Sequence, residues 1–405
     1  MVKKVTLEKE MKSLDLVILA GGKGRRIKSL LNKKPKPMAI FNNKPFLEYI
    51  LQNYSKYRFK NIYILAGYKS TYIINKYNNK YFNCNQIKCL KEKKPLGTGG
   101  ALYKLKKKNI NDFVLINGDT YLDVDLNRLV KSCGKKTLGT MSLVENKSYG
   151  SNVKLSSIGL KKNKVVKKKT SKLMNGGVYF FRKRFLKFIK NKNNSLENDI
   201  LPNLIKKNKI SGFISRNFFL DIGTPNNFYK AGSLLKKNCT KPAAFLDRDG
   251  VINYDTGYVH KINDFHLRPG VKKGLRYLKE KNYLIFIVTN QSGIGRGLYT
   301  ENDFFKLHNN LKENFQSNNI FFDDISFCPY HPDAKIKKYK KKSDLRKPGN
   351  LMVKRLKEKW HIKQSKSFMI GDQIVDQMCA KKSNLYFEFA KENFFNQIKK
   401  IIKKI

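Results

Sequence analysis

Two acidic residues two positions apart, Asp247 and Asp249, close the apolar run Ala243-Ala244-Phe245-Leu246, and in extended backbone side chains so spaced point the same way. Such a pair suits a nucleophile that attacks phosphorus to form an aspartyl-phosphate, and an acid that protonates the departing alkoxide and then activates water. Three further groups follow in order: the Thr289 hydroxyl in Val288-Thr289-Asn290-Gln291-Ser292-Gly293, the cation Lys347 in Arg346-Lys347-Pro348, and the carboxylate Asp372 in Ile370-Gly371-Asp372, of a kind that holds Mg²⁺. Far upstream, Gly21-Gly22-Lys23-Gly24-Arg25-Arg26 closely follows the apolar run Leu16-Val17-Ile18-Leu19. Small residues there let backbone N–H groups approach a triphosphate, and an arginine just behind them offsets the charge of a leaving pyrophosphate. Taken alone, an Asp-x-Asp is common on surfaces and a glycine-rich segment can be no more than a tight turn.

The elements that must position these groups alternate. Leu16–Leu19, Ile62–Leu65 and Phe113–Ile116 are short and rich in β-branched residues, and segments of helical period separate them. That is the sequence form of strands wrapped by helices, whose ligands gather at the carboxyl ends of the strands. The alternation restarts at Ala243–Leu246, Tyr283–Thr289 and Phe368–Ile370, so two separate sheets are expected. A chain of 405 residues accommodates two domains of ordinary size. Gly232 to Pro242 becomes polar and ends in proline, placing the boundary near residue 240. The resulting division is an N-terminal extension over 1–13, a first domain over 14–235, a linker over 236–242 and a second domain over 243–405.

No run reaches the roughly 18 to 20 apolar residues of a membrane span, and the first fifteen residues lack an apolar signal core, which points to a cytoplasmic protein. The net charge of +55 would ordinarily suggest a nucleic-acid partner. Its lysines are instead scattered through almost every helix and loop, as at Lys106–Lys108, Lys161–Lys169, Lys337–Lys342 and Lys399–Lys404, with no nucleic-acid motif among them. The charge therefore reads as a compositional bias that still attracts phosphorylated substrates. The six cysteines form no paired framework, as reduced thiols would be.

Taken in order, Gly21–Arg26, Pro35-Lys36-Pro37-Met38, Asn43–Tyr49, Pro95-Leu96-Gly97-Thr98-Gly99-Gly100-Ala101-Leu102, Leu115-Ile116-Asn117-Gly118-Asp119, Asn175-Gly176-Gly177-Val178-Tyr179 and Leu220-Asp221-Ile222-Gly223 resemble the sugar-1-phosphate nucleotidyltransferases. The resemblance implies a Rossmann-like, GT-A-like mixed sheet. It also implies that Arg26 and Lys36 bring two anions together, that Asp119 and Asp221 hold Mg²⁺ against the phosphates, and that Gly21, Gly22, Gly24 and Gly118 belong to the phosphate-binding framework. The stretch from Leu96 through Gly97 and Thr98 to Ala101 would approach base and ribose, and Asn175 and Gly177 the sugar. Lys36–Ala39 and Lys44–Tyr49 are similar in particular to the heptose-1-phosphate guanylyltransferases, which implies GTP. Two departures stand out: Arg25 replaces a usual threonine, and Val166–Thr170 lacks the acidic residue common in that region, which bears on sugar specificity.

The second constellation resembles the haloacid dehalogenase superfamily, with a Rossmannoid parallel sheet, and is similar in particular to the heptose 1,7-bisphosphate phosphatases and their histidinol-phosphatase relatives. This rests on Asp247–Asn253, Thr289–Gly297, Cys328-Pro329-Tyr330-His331-Pro332 and Arg346–Gly349. By that likeness Asp247 is nucleophile and Asp249 acid/base, and Asp247, Asp249 and Asp372 hold Mg²⁺, with Asp376 in support. Thr289, Asn290 and Lys347 bind phosphate, and Arg296 and Arg346 contact substrate. Many relatives carry a zinc loop of Cys-x-His and Cys-x-Cys; here the four positions are Cys328, Tyr330, Ser343 and Leu345, so no structural zinc is expected and Cys328 and His331 are read as packing residues.

Removing the 7-phosphate of a heptose 1,7-bisphosphate leaves a sugar 1-phosphate, the substrate class of the first domain. The expectation is therefore a bifunctional enzyme with sugar phosphates and GTP as its partners, no nucleic acid and no membrane, and an oligomeric state left open. The alternatives are a hexose-1-phosphate nucleotidyltransferase beside a histidinol-phosphate or other small phosphomonoester phosphatase, and a nucleic-acid-binding protein.

Overall fold

The computed structural model describes residues 14–92, 97–145, 156–190 and 194–405. The expected N-terminal extension over 1–13, and Pro95 and Leu96 of the glycine-rich segment, lie outside the described residues. Two compact units are present, the first comprising residues up to Tyr54 with Phe59–Leu234, the second Ser55–Arg58 with Leu235–Ile405. The residues expected as a linker differ: the helix Pro225–Cys239 runs through most of 236–242, leaving Thr240–Pro242 to lead into the strand Ala243–Leu246. No helix among the described residues is long and apolar enough to cross a membrane.

In the first unit, the strand Asp15–Ala20 lies between Ile62–Ala66 and Phe113–Asn117, all parallel, with Asn85–Lys91 parallel beyond Ile62–Ala66. Strand Leu173–Phe181 then runs antiparallel between Phe113–Asn117 and Gly139–Glu145, so the ten-stranded sheet is mixed. The three central strands Asp15–Ala20, Ile62–Ala66 and Phe113–Asn117 are buried almost throughout: Leu16, Ile18, Ile64, Leu115 and Ile116 are inaccessible to solvent. That continuous burial is what a sheet covered on both faces requires. A separate antiparallel pair, Thr120–Leu122 with Phe219–Asp221, puts Asp221 opposite Thr120. Two acidic residues distant in sequence, Asp119 and Asp221, are thereby brought side by side.

The second unit is built on five parallel strands in the order Asp324–Cys328, Leu284–Asn290, Ala243–Leu246, Phe368–Gly371, Tyr386–Phe389. Chain order reverses on either side of Ala243–Leu246. At such a switch point the carboxyl ends of neighbouring strands open a crevice, and Asp247 and Asp372 each follow one of those ends. The helix Glu301–Gln316, which covers this sheet, starts from a capping box in which the Asp303 N–H donates to Thr300 Oγ1 and the Thr300 N–H to Asp303 Oδ2.

Candidate active sites

In the first unit a cavity of about 490 Å³ opens at the carboxyl ends of the parallel strands, lined by Gly21, Gly22, Lys23, Gly24, Arg25, Lys36, Glu92, Gly97, Thr98, Asn117, Asp119 and Glu197 among others. Gly24 takes the left-handed backbone conformation at φ 61°, turning the chain from strand into the helical turn that carries Arg25 and Arg26. Gly118 donates its N–H to Leu19 O at 2.8 Å, and a Cβ there would lie 2.5 Å from that oxygen, so no larger residue fits.

Buried Lys36 reaches Asp119 Oδ2 at 2.5 Å and Asp221 Oδ1 at 3.9 Å. Burial, with Asp119 beside it, holds the Asp221 carboxyl above its usual range against the pull of Lys36 and Arg26. Arg26 closes the same group, since a Cβ on Gly223 would lie 2.8 Å from Lys36 Nζ and 3.0 Å from Arg26 Nη2. Thr98 Oγ1 donates to Glu197 Oε2 at 2.6 Å and accepts from the Leu196 N–H at 2.8 Å, which ties the segment starting at Gly97 to the cavity wall. Asn175 and Gly177 are bound to each other through the Gly177 N–H and Asn175 Oδ1, and Asn175 Nδ2 donates to the buried Tyr179 phenol at 2.5 Å. Gly177 abuts Thr120, next to Asp119.

Sequence reasoning missed Glu92. Its carboxylate lies over two glycines: a Cβ on Gly21 would be 2.8 Å from Glu92 Oε1 and one on Gly67 3.0 Å from Oε2. The residue is buried and faces the cavity. Its only signal is position, directly after the strand Asn85–Lys91.

In the second unit Asp247, Asp372 and Asp376 present carboxylate oxygens within 4.8 Å of one another. Lys347 Nζ sits among them, 2.8 Å from Asp247 Oδ2 and 2.5 Å from Asp376 Oδ1, and donates to Val288 O at 3.0 Å. Burial pushes the Asp247 carboxyl up to about 7, with Lys347 opposing and Asp376 adding to the rise; burial raises Asp372 as well. Three converging carboxylates against one ammonium leave a net negative site, which suits a hard divalent cation. Close packing fixes the set, because a Cβ on Gly250, at φ 77°, would lie 2.3 Å from Asp372 Oδ2. Asn290 Oδ1 accepts from the Lys347 N–H at 3.0 Å, and Asn290 Nδ2 donates back to Lys347 O at 3.2 Å.

Asp249 is placed otherwise than expected. Its carboxylate accepts from Arg248 Nε at 3.0 Å and Nη2 at 2.8 Å, from Asn253 Nδ2 at 2.9 Å and from Gln291 Nε2 at 3.1 Å. It therefore stands outside the carboxylate cluster, where Asp376 takes the place expected for it. The cause is Arg248, almost wholly buried, whose fork holds the next residue aside. Gln291 Nε2 also donates to Thr289 Oγ1 at 2.9 Å, joining Thr289 to Asp249. Arg296 Nε and Arg346 Nη1 are buried without a hydrogen-bond partner, and the two guanidiniums are electrostatic neighbours. At the former zinc positions, Leu345 and Cys328 pack in one apolar cluster with Phe245 and Met352. His331 Nδ1 accepts from the Asp333 N–H. That is not a donor set for zinc.

Residues 16–238 match the family model described as nucleotidyl transferase, and residues 244–402 the model described as polynucleotide kinase 3 phosphatase. Over 139 residues, 34% of this chain, the chain is 43% identical to a D-glycero-beta-D-manno-heptose-1,7-bisphosphate 7-phosphatase of Photorhabdus laumondii, covering 74% of that protein. It is 36% identical over 163 residues, 40% of this chain, to the protein of the same name in Rhodopseudomonas palustris, covering 91% of it. Among solved structures, the crystal structure of HddC from Yersinia pseudotuberculosis aligns with 54% of this chain and 98% of its own, at 30% identity and a TM-score of 0.47.

Proposed function

We propose a specific pair of reactions on the premise that this chain belongs to the nucleotidyl transferase family through its first unit and to the haloacid-dehalogenase-like phosphatases through its second, an enzyme with both activities. The second unit removes the 7-phosphate from D-glycero-D-manno-heptose 1,7-bisphosphate. The first joins the resulting heptose 1-phosphate to GMP from GTP, giving GDP-heptose and pyrophosphate. The observation that carries this reading is the pair of buried guanidinium N–H groups, Arg296 Nε and Arg346 Nη1, left unpartnered in the same unit as a cluster already complete for one phosphoryl group. Buried donors without acceptors are costly. A substrate with a second anion satisfies them, whereas the cationic side chain of histidinol phosphate would meet like charge.

Asp247, Asp372 and Asp376 would hold a divalent cation, taken here as Mg²⁺, which when bound supplies a Lewis acid to the phosphoryl oxygens. Asp247 Oδ attacks phosphorus and the bond to the sugar oxygen breaks, with Asp249 delivering a proton to that oxygen. Asp249 then takes a proton from the water that attacks the aspartyl-phosphate, so phosphate leaves and Asp247 is regenerated. Lys347 and the Thr289 hydroxyl hold the phosphoryl oxygens. In the first unit, an oxygen of the sugar phosphate attacks the α-phosphorus and pyrophosphate departs. Lys36 and Arg26 offset the charge gathered there, and Asp119 and Asp221 would hold the cation. Glu92 reads the base: its two acceptor oxygens complement the adjacent N1–H and N2–H₂ donors of guanine, while uracil and thymine offer one N–H flanked by carbonyls.

The test incubates the full chain with Mg²⁺, heptose 1,7-bisphosphate and each of the four nucleoside triphosphates, reading products by mass spectrometry. GDP-heptose formed with GTP alone supports the proposal. Phosphate release with no nucleotide-sugar, or faster turnover of histidinol phosphate, overturns it.

A further inference from the structure

We infer that Tyr258 is a substrate-contacting residue of the phosphatase site, its ring set to take the C–H face of a sugar and so to separate sugar phosphates from smaller phosphate esters. The starting observation is its backbone. Tyr258 adopts φ 51°, and it is the single aromatic among the described non-glycine residues with left-handed backbone, the rest being Asn, Lys and Cys. A bulky side chain resists that conformation, which persists only where surrounding contacts impose it.

Gly257, itself at φ 85°, donates its N–H to Asp255 Oδ1 at 2.9 Å, and His260 Nδ1 lies 2.9 Å from Tyr258 O. The His260 ring stacks on Tyr299 at 4.8 Å and 6°. Tyr299 O–H donates to Gln291 Oε1, and Gln291 Nε2 in turn donates to Asp249. From the other side Arg248 Nη2, which also holds Asp249, donates to Val259 O at 2.6 Å. The segment directly after Tyr258 is thus pinned, through Val259 and His260, to the groups that orient the acid/base.

What those fastenings present is a tyrosine that remains 45% exposed. Its ring edge rests on Gly293, where a Cβ would lie 3.0 Å from Tyr258 Cδ1, and its phenol is an electrostatic neighbour of Arg346. An unfavourable backbone maintained for a half-exposed residue gains little from packing, so its use is in what arrives. A sugar whose second phosphate takes Arg346 would lay an apolar ring face on the aromatic one. This inference rests on the sugar bisphosphate reading above.

The experiment compares Tyr258→Gly, Tyr258→Ala and Tyr258→Phe in the full chain on heptose 1,7-bisphosphate, fructose 1,6-bisphosphate and p-nitrophenyl phosphate. In the Gly and Ala variants kcat/KM on the better sugar bisphosphate falls about tenfold further than on p-nitrophenyl phosphate, chiefly through KM, and Phe retains most of the selectivity. Tyr258→Gly, which relieves the backbone, leaves the melting temperature equal or higher. Equal losses on all three substrates, or a lowered melting temperature with selectivity intact, overturn the inference. A wild-type preference for fructose bisphosphate over the heptose would sink the substrate assignment alone, because the selectivity ratio still decides the role of Tyr258.

Discussion

His308 offers a sharp quantitative test of the second unit. It lies on the buried face of the helix Glu301–Gln316, its Nδ1 2.9 Å from Phe304 O, its ring against Phe304 at 4.1 Å, and its Nε2 without a partner. Burial first, then the positive charge of Arg248 and of Lys312, depress its pKa to about 3, with only the Phe304 carbonyl opposing. In the unfolded chain it titrates at its ordinary value of 6.5. Between those values the unfolded state holds the extra proton. Stability is therefore unaffected above the unfolded value and is lost as pH falls from about 6.5 towards about 3. At about pH 5 the unfolded state gains some 1.5 pH units' worth of proton binding, or about 2 kcal/mol, and the whole effect approaches about 5 kcal/mol near pH 3. The chain's single tryptophan, Trp360, is buried in this unit, so urea unfolding followed by its fluorescence reports the unit that contains His308. Wild type and His308→Gln, each measured near pH 7.5 and pH 5, form a cycle in which baseline stability cancels. The variant should lose about 2 kcal/mol less on acidification. Identical pH dependence in the two proteins would refute the reasoning.

Three other outcomes follow from the sites. Asp247→Asn should abolish phosphate release and spare nucleotide-sugar formation from supplied heptose 1-phosphate, while Asp119→Ala does the reverse; loss of both activities in either variant would contradict two independent sites. Lys347→Met strands the buried carboxylates of Asp247 and Asp376 and should cost about 3 to 5 kcal/mol in the Trp360-monitored transition, part of it recovered with millimolar Mg²⁺; an unchanged midpoint without metal would count against the paired geometry. Gly250→Ala puts a methyl group 2.3 Å from Asp372 Oδ2, on backbone at φ 77°, and should lower phosphatase kcat by at least about a hundredfold, as displaced active-site groups do; near-normal turnover would show the packing to be slack.

The central strands of both sheets were legible because each is a short apolar run set between segments of helical period, as at Leu16–Leu19 and Ala243–Leu246, whereas a strand near the sheet edge such as Lys164–Ser171, polar along most of its length, carries no such run. Motif residues such as Lys36, Asp119, Asp247 and Lys347 were legible because chemistry restricts the side chains at those positions. Orientation was not. That Asp249 is drawn aside by Arg248 depends on a guanidinium folding back on its own neighbour, and spacing carries no trace of it. Asp376 enters the carboxylate cluster because the turn into the helix Ile374–Lys382 packs it directly on Gly371, where a Cβ would lie 2.2 Å from Asp376 Cβ. Glu92 is one acidic residue in a lysine-rich stretch, and only the parallel register beside Ile62–Ala66 puts it at the cavity.

The short antiparallel pair of Thr120–Leu122 and Phe219–Asp221 carries a dynamic consequence. It is separate from the ten-stranded sheet and rests on three residue pairs, continued by the Asp123 N–H to Phe218 O and the Ile222 N–H to Asp119 O. Short ladders of this kind open at lower free energy than central strands do. Opening this one parts Asp119 from Asp221 while the sheet beneath stays folded. The two carboxylates that would share a cation thus form a clasp, and a bound cation closes it: nucleotide and metal should slow hydrogen exchange at Tyr121 and Leu220 far more than at Leu16 or Ile64, coupling occupancy of the site to the order of this segment.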